Sequence, residues 1–197
     1  MKVILSIFIF LTVLFTQNCS SGPYKCSEGD CKSGRGVGTN EADGTKFDGT
    51  FAEGVPNGAG TMTYANGDTL SGSFLAGKPE GYGVYTYSNG DKFEGPYKSG
   101  LRNGKGKYTH FNKDIYDGEY ADGVRAGSGK YSHTSKKELF EGVYKNGERN
   151  GPGTYTFENG DVLTGEWENG KGKGNAKIRS KNGQVIYDGP FPGTETK

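Results

Sequence analysis

Long apolar runs are missing from this sequence beyond residue 15, and so are the residues that dominate most catalytic sites. Of 197 residues only two are His, three Cys and one Trp. Apolar side chains make up 31%, alongside 36 Gly, too few for an ordinary globular core of this length. No Gly-x-Ser-x-Gly, phosphate-binding loop or His-Glu-x-x-His occurs. That removes the common signatures of hydrolases, nucleotide-binding enzymes and zinc peptidases. Charge of one sign is missing too. Lys2 is the sole charge before Cys19, so the chain from Cys19 onward carries 23 basic and 23 acidic side chains. Such a balance, with no run of four basic residues, leaves no footprint for nucleic acid and no strong pull toward anionic lipid. No catalysis and no cofactor is expected.

What is present is aromatic and periodic. Thirteen Tyr and 11 Phe exclude a simple disordered chain, because disordered segments are aromatic-poor. An aromatic-x-Gly-x-aromatic pattern, with Leu twice in first place, runs through Phe47/Gly49/Phe51, Leu70/Gly72/Phe74, Phe93/Gly95/Tyr97, Tyr116/Gly118/Tyr120, Phe140/Gly142/Tyr144 and Leu163/Gly165/Trp167. Its starts step by 23, 23, 23, 24 and 23 residues, and a seventh copy begins at Tyr187/Gly189/Phe191. Each full copy continues with a Gly and, in most, a Gly-x-Gly such as Gly58/Gly60 or Gly151/Gly153. Asn-Gly-Asp closes three of them, at Asn66, Asn89 and Asn159, whereas Lys113 and Lys136 stand for the closing Gly in the third and fourth.

Residues two apart share one face of a strand. Gly83-Tyr85-Tyr87, Gly106-Tyr108-His110, Gly129-Tyr131-His133 and Gly153-Tyr155-Phe157 therefore form an aromatic face, with Thr and Lys on the other. Asn-Gly between such strands predicts a hairpin, since both turn residues tolerate φ > 0. The fold expected is all-β: an elongated, single-layer antiparallel meander of stacked 23-residue hairpins. One hairpin is marginal in water, and a row of them is stabilised by nearest-neighbour contacts.

This pattern resembles the MORN repeat (membrane occupation and recognition nexus) over residues 47–191, as six repeats plus a partial seventh. The sixth has Ala176, Ile178 and Ser180 where Gly and two aromatics are expected, which reads as a C-terminal cap before a tail at 192–197. The resemblance implies an interaction or assembly module, with lipid binding as the alternative that the family name suggests.

The N-terminus carries a different message. After Lys2, Val3 to Phe15 is apolar except for Ser6 and Thr12. That is shorter than the ~20 residues a membrane-spanning helix needs, and it reads as the apolar region of a signal peptide over residues 1–18. Because the stretch ends at Cys19, followed by Ser20-Ser21-Gly22, it resembles a bacterial lipoprotein signal of the looser spirochaete type. The resemblance implies a diacylated Cys19, cleavage just before it, and anchorage in the bacterial outer membrane. An ordinary secretory signal and an uncleaved anchor are the alternatives. Residues 19–46 would then be an anchor linker and a degenerate N-terminal cap.

Chemistry elsewhere is sparse. Cys26 and Cys31 are too few for a zinc site and, in an oxidising compartment, favour a local disulfide over two free thiols. His110 and His133 sit one repeat apart, roughly 10 Å, and read as polar-tipped members of the aromatic column rather than metal ligands. Acids beside the leading Gly, Asp48, Glu94, Asp117, Glu141 and Asp188, read as surface or turn residues set by the repeat, with a Ca²⁺ ladder or a catalytic carboxylate pair as the alternative. The candidate binding surface is the aromatic face: Tyr85, Tyr87, Tyr108, Tyr131, Tyr155, Phe157 and Trp167, offered to a protein partner, or less favourably to lipid or glycan. Cys19→Ser is expected to abolish membrane partitioning, since nothing after Cys19 is apolar enough to hold the chain there. Detergent phase separation checks this, and a variant that still enters the detergent phase removes the lipoprotein assignment.

Overall fold

The computed structural model describes residues 22–192; the expected signal peptide, Cys19 and the end of the tail lie outside them. Among the described residues there are sixteen strands and no helix. Two strands, β1 (Tyr24–Gly29) and β2 (Arg35–Asn40), precede the first repeat. The repeats follow as β3 (Lys46–Ala52) with β4 (Val55–Thr63), β5 (Thr69–Leu75) with β6 (Lys78–Thr86), and β7 (Lys92–Lys98) with β8 (Leu101–Arg102) and β9 (Gly104–Thr109). Then come β10 (Ile115–Ala121) with β11 (Val124–His133), β12 (Glu138–Lys145) with β13 (Glu148–Thr156), β14 (Val162–Glu168) with β15 (Lys171–Arg179), and a last strand β16 (Val185–Pro190). All pair antiparallel with their chain neighbours in one open sheet, β8 pairing with β7 alone.

A single sheet has no second layer to bury its apolar face, yet Phe47, Phe93, Tyr116 and Phe140 are 0% exposed. The glycines explain how. Gly49 and Gly60 are cross-strand partners, as are Gly95 and Gly106 in position, Gly118 and Gly129, and Gly142 and Gly153. The first aromatic of each repeat lies down across that pair. A Cβ on Gly60 would stand 2.3 Å from Phe47 Cζ, and one on Gly129 would stand 2.5 Å from the Tyr116 hydroxyl oxygen. Second aromatics then close over the first edge-on. Phe47 meets Phe51 at 5.2 Å and Phe74 of the next repeat at 4.9 Å; Tyr116 meets Tyr120 and Tyr144 at 5.4 and 5.0 Å. Interplanar angles in this row run from 71° to 90°, the edge-to-face geometry that contributes about 1 kcal/mol per pair beyond area burial.

The two glycines of Gly-x-Gly have separate jobs. The second lies beneath a ring. The first, at Gly58, Gly104 and Gly151, has φ of 118°, 107° and 115° and sits in a bulge that shifts the register within each repeat. At the other end of the hairpin, both central residues are left-handed, as in Glu53/Gly54 (52°, 78°) and Asn146/Gly147 (53°, 87°). That is the two-residue turn whose twist suits paired strands.

The Asn-Gly turns join paired strands, as expected, with one left-handed residue rather than two. Gly67 has φ of 87°, but Asn66 is not left-handed; its Oδ1 accepts the Asp68 N–H at 3.1 Å and holds a longer turn. In the fourth repeat the left-handed residue is Lys137 (φ 53°), not Lys136, because the 24-residue period inserts one residue into this turn. At the N-terminal end, Cys26 and Cys31 are bonded through sulfur with Cα atoms 5.6 Å apart, and β2 continues the ladder with Gly38 opposite Phe47. At the other end, Phe191 covers Gly165 and Gly172 and meets Trp167 at 5.1 Å.

Deleting Phe93 to Ile115 removes one whole period and puts Lys92 in the place of Ile115. This variant is expected to keep a β-type circular dichroism spectrum and a cooperative melt at somewhat lower stability. Deleting Phe93 to Gly104 removes β8, all of β7 but Lys92, and the first residue of β9; it leaves the rest of β9 unable to pair antiparallel with both neighbours, and should give aggregation or rapid proteolysis. Equal behaviour of the two would mean a shared core rather than a row of hairpins.

Candidate interaction surface

The aromatic face consists of two parallel rows. One is the buried row just described. Trp167 belongs to it at 5% exposure, with its ring edge-on to Phe140 at 5.0 Å, so it is not offered to a partner. Its spacing after Gly165 puts it in the second-aromatic position, where the ring closes over the preceding repeat. The other row is half-exposed and follows the Asn-Gly turns: Tyr64, Tyr85, Tyr87, Tyr108, His110, Tyr131, His133, Tyr155 and Phe157. Successive rings touch, as in Tyr85–Tyr87 at 4.5 Å, Tyr87–Tyr108 at 5.7 Å and Tyr155–Phe157 at 5.1 Å. Six of the seven residues assigned to the aromatic face from sequence thus lie in this accessible row.

Three arginines join the rows, a feature the sequence reading did not single out. Arg102, Arg125 and Arg149 each stand opposite the second aromatic of their repeat, Tyr97, Tyr120 and Tyr144. Their guanidinium carbons lie 4.5 Å from Phe93, 4.7 Å from Tyr116 and 4.1 Å from Phe140, and 5.5, 5.4 and 5.7 Å from Tyr108, Tyr131 and Tyr155. Arg102 also donates to the Tyr87 hydroxyl. Among the described residues none of the three has a carboxylate within ion-pair distance. The periodic signal existed, since these residues recur 23 and 24 apart, two after each hairpin glycine.

A row of buried carboxylates staples the repeats along the Asn-Gly edge. Asp68 accepts the Tyr85 hydroxyl at 2.7 Å and the Ser88 N–H at 2.8 Å, both from the next repeat. Asp91 takes Tyr108 at 2.7 Å and the Phe111 N–H at 2.8 Å; Asp114 takes His133 Nδ1 at 3.2 Å and the Thr134 N–H at 2.9 Å. Glu138 fills the same place in the fourth repeat, 2.6 Å from the Tyr155 hydroxyl. Burial and this bond push the Tyr155 hydroxyl up to about 12. The Ser88 N–H and then the Tyr85 hydroxyl hold Asp68 below the usual carboxylate range. Burial alone would raise Asp91 and Asp114, but hydrogen bonds led by Tyr108 and by the Thr134 N–H more than offset it. The histidines are therefore members of this staple row: the His110 ring meets Tyr108 at 4.7 Å and the His133 ring meets Tyr131 at 4.6 Å, both tilted.

The opposite face is polar. Its acids pair with cations across strands, Arg35–Asp48 at 3.4 Å, Lys130–Glu141 at 3.3 Å and Lys177–Asp188 at 3.0 Å, in exposed positions that contribute little. Its depressions are shallow and open, floored by glycine pairs such as Gly60 and Gly72. Among the described residues no group of three His, Cys, Asp or Glu is placed to hold a metal ion, and no helix is long and apolar enough to cross a membrane.

Comparison with known proteins gives the same period. The model of the MORN repeat matches residues 47–69, 71–92, 93–115, 116–136, 140–162 and 164–185. No curated protein sequence matches. Among solved structures, the chain is similar to the TCP domain of Drosophila melanogaster SAS-4 (dCPAP), determined in complex with a proline-rich motif of Ana2 (dSTIL). The TM-score is 0.50 at 13% identity, covering 93% of this chain and 96% of that one. The wild-type TCP10 domain of Danio rerio CPAP matches at a TM-score of 0.38 and 16% identity, over 80% of this chain and 79% of that one.

The staple carboxylates set the response to acid. Their folded values lie below the ~3.9 of an unfolded Asp, so the stability they contribute is fully present above that pH and is lost as the pH falls through the folded values. Asn at positions 68, 91 and 114 together should lower the melting temperature at pH 7. The same triple variant should also flatten its fall below about pH 4 relative to the unmodified protein. Parallel melting curves across pH for the two proteins would remove the carboxylates from this role.

Proposed function

The chain belongs to the MORN-repeat family, and on that premise we propose that it is a non-enzymatic interaction scaffold, held on a bacterial outer membrane by lipid on Cys19. The observation that carries the reading is the accessible aromatic row, continuous over the central repeats and backed by three arginines that no carboxylate among the described residues neutralises. Aromatic and Arg side chains dominate the energetics of protein interfaces. The acids that border this row, Asp68, Asp91, Asp114 and Glu138, are by contrast engaged by backbone N–H groups, Tyr hydroxyls and His133. The Drosophila TCP domain, similar in fold, takes a proline-rich motif of another protein. An anchored single sheet would offer this chain's partner a one-sided platform along its aromatic face.

A photo-crosslinking residue placed at Tyr131 or Phe157, in cells that carry the protein natively, should capture one and the same protein. Placement at the exposed Lys107 of the opposite face should not. Capture of lipid alone from the aromatic positions, or equal capture from both faces, would overturn the reading.

A further inference from the structure

We infer that the row Arg102, Arg125, Arg149 is a track for one kind of segment: an extended, proline-rich peptide with an acidic side chain at every third residue. The inference rests on the interaction reading above and names the chemistry of the partner. Three features of the face define that chemistry.

The first is charge. Each guanidinium lies half-buried against a ring, with no carboxylate beside it among the described residues. The nearby acids Asp91, Asp114 and Glu138 spend their oxygens on backbone N–H groups, Tyr hydroxyls and His133. Tyrosine hydroxyls, such as that of Tyr87 on Arg102, accept from these groups without neutralising them. A matching negative charge must therefore come from outside the described residues, and a carboxylate can bind a guanidinium through two parallel hydrogen bonds.

The second is period. Each arginine is two strands from the next, roughly 9.6 Å at ~4.8 Å per strand. A polyproline II helix advances ~3.1 Å per residue with three residues per turn, about 9.3 Å. Side chains three apart on such a peptide, laid across the strands, meet successive repeats in near-perfect step. A β-strand, at about 6.6–6.8 Å per two residues, and an α-helix, at ~5.4 Å per turn, do not keep this step.

The third is the wall. The track is bordered on the turn side by Tyr87, Tyr108, Tyr131 and Tyr155, half-exposed rings between which proline rings pack. Aromatic-lined grooves bind such peptides because the extended helix is already ordered before docking. Seven residues span the three arginines, about 19 Å.

The test uses the full-length protein and synthetic fluorescent peptides in anisotropy titrations. Five copies of Glu-Pro-Pro should bind. The same length built from Glu-Pro-Pro-Pro, which breaks the step, should bind at least several-fold more weakly, and Lys-Pro-Pro copies should not bind. Arg125→Met and Arg149→Met should each weaken binding roughly tenfold, as loss of a hydrogen bond to a charged group does. Arg125→Lys should recover part of it. Each variant's circular dichroism spectrum and melt are recorded, and added salt should weaken binding to the unmodified protein, a readout that needs no variant. No binding of Glu-Pro-Pro, equal binding of both spacings, or no effect of the arginine variants overturns the proposal. So does arginine-dependent binding to phosphatidylglycerol vesicles with no peptide binding, which would make the face a lipid surface. If crosslinking through Tyr131 captures a protein while every proline peptide fails, this assignment falls and the interaction reading stands.

Discussion

A sheet one layer thick must build its core on its own surface, and the interaction that makes this possible is a ring lying flat on a cross-strand pair of glycines. Any Cβ at Gly60, Gly106, Gly129 or Gly153 would occupy the space of the Phe47, Phe93, Tyr116 or Phe140 ring. Lowered onto the backbone, the ring is sealed by two second aromatics, one from its own repeat and one from the next. The repeat is therefore not a self-sufficient unit. Half of the cover of each ring belongs to a neighbour, which is why stability in such an array is carried by interfaces between repeats.

Both long edges of the sheet are stapled by the same logic. On the two-residue turn side, the N–H of Gly77, Gly100, Gly123, Gly147 and Gly170 donates to a carbonyl of the preceding repeat at 2.8 to 3.0 Å. On the Asn-Gly side, Asp68, Asp91 and Asp114 reach forward to a backbone N–H of the following repeat. The fourth repeat shows how tolerant this edge is. Its extra residue is taken up in the turn, Thr134 still donates to Asp114, and Glu138, one methylene longer than Asp, still reaches Tyr155.

The aromatic face has chemistry because the stabilising devices are not fully covered. Tyr hydroxyls needed by the staple row and guanidiniums that fill the gap between rows remain reachable from solvent. The accessible row was legible in the sequence, since Tyr85, Tyr87, Tyr108, Tyr131, Tyr155 and Phe157 follow strand alternation. Trp167 was misread as accessible because alternation gives the face of a residue and not what lies over it. The arginines were overlooked for the opposite reason: a cation after a turn glycine looks like an ordinary exposed residue until the rings on both sides of it are placed.

The amino-acid order by itself determined the period, the antiparallel meander and the side of the sheet on which each aromatic stands. These follow from local rules: alternation fixes facing, and glycine permits both close approach and positive φ. Only the tertiary structure decided what depends on contacts between strands and between repeats: which aspartates are buried as staples, which ring of each pair is sealed, and that Arg102, Arg125 and Arg149 stand in line with no carboxylate beside them among the described residues. It also decided the turn types. Glu53, Ala76 and Ser99 take left-handed conformations that nothing in their own chemistry favours, because the strands on either side, locked by the rings, require that twist.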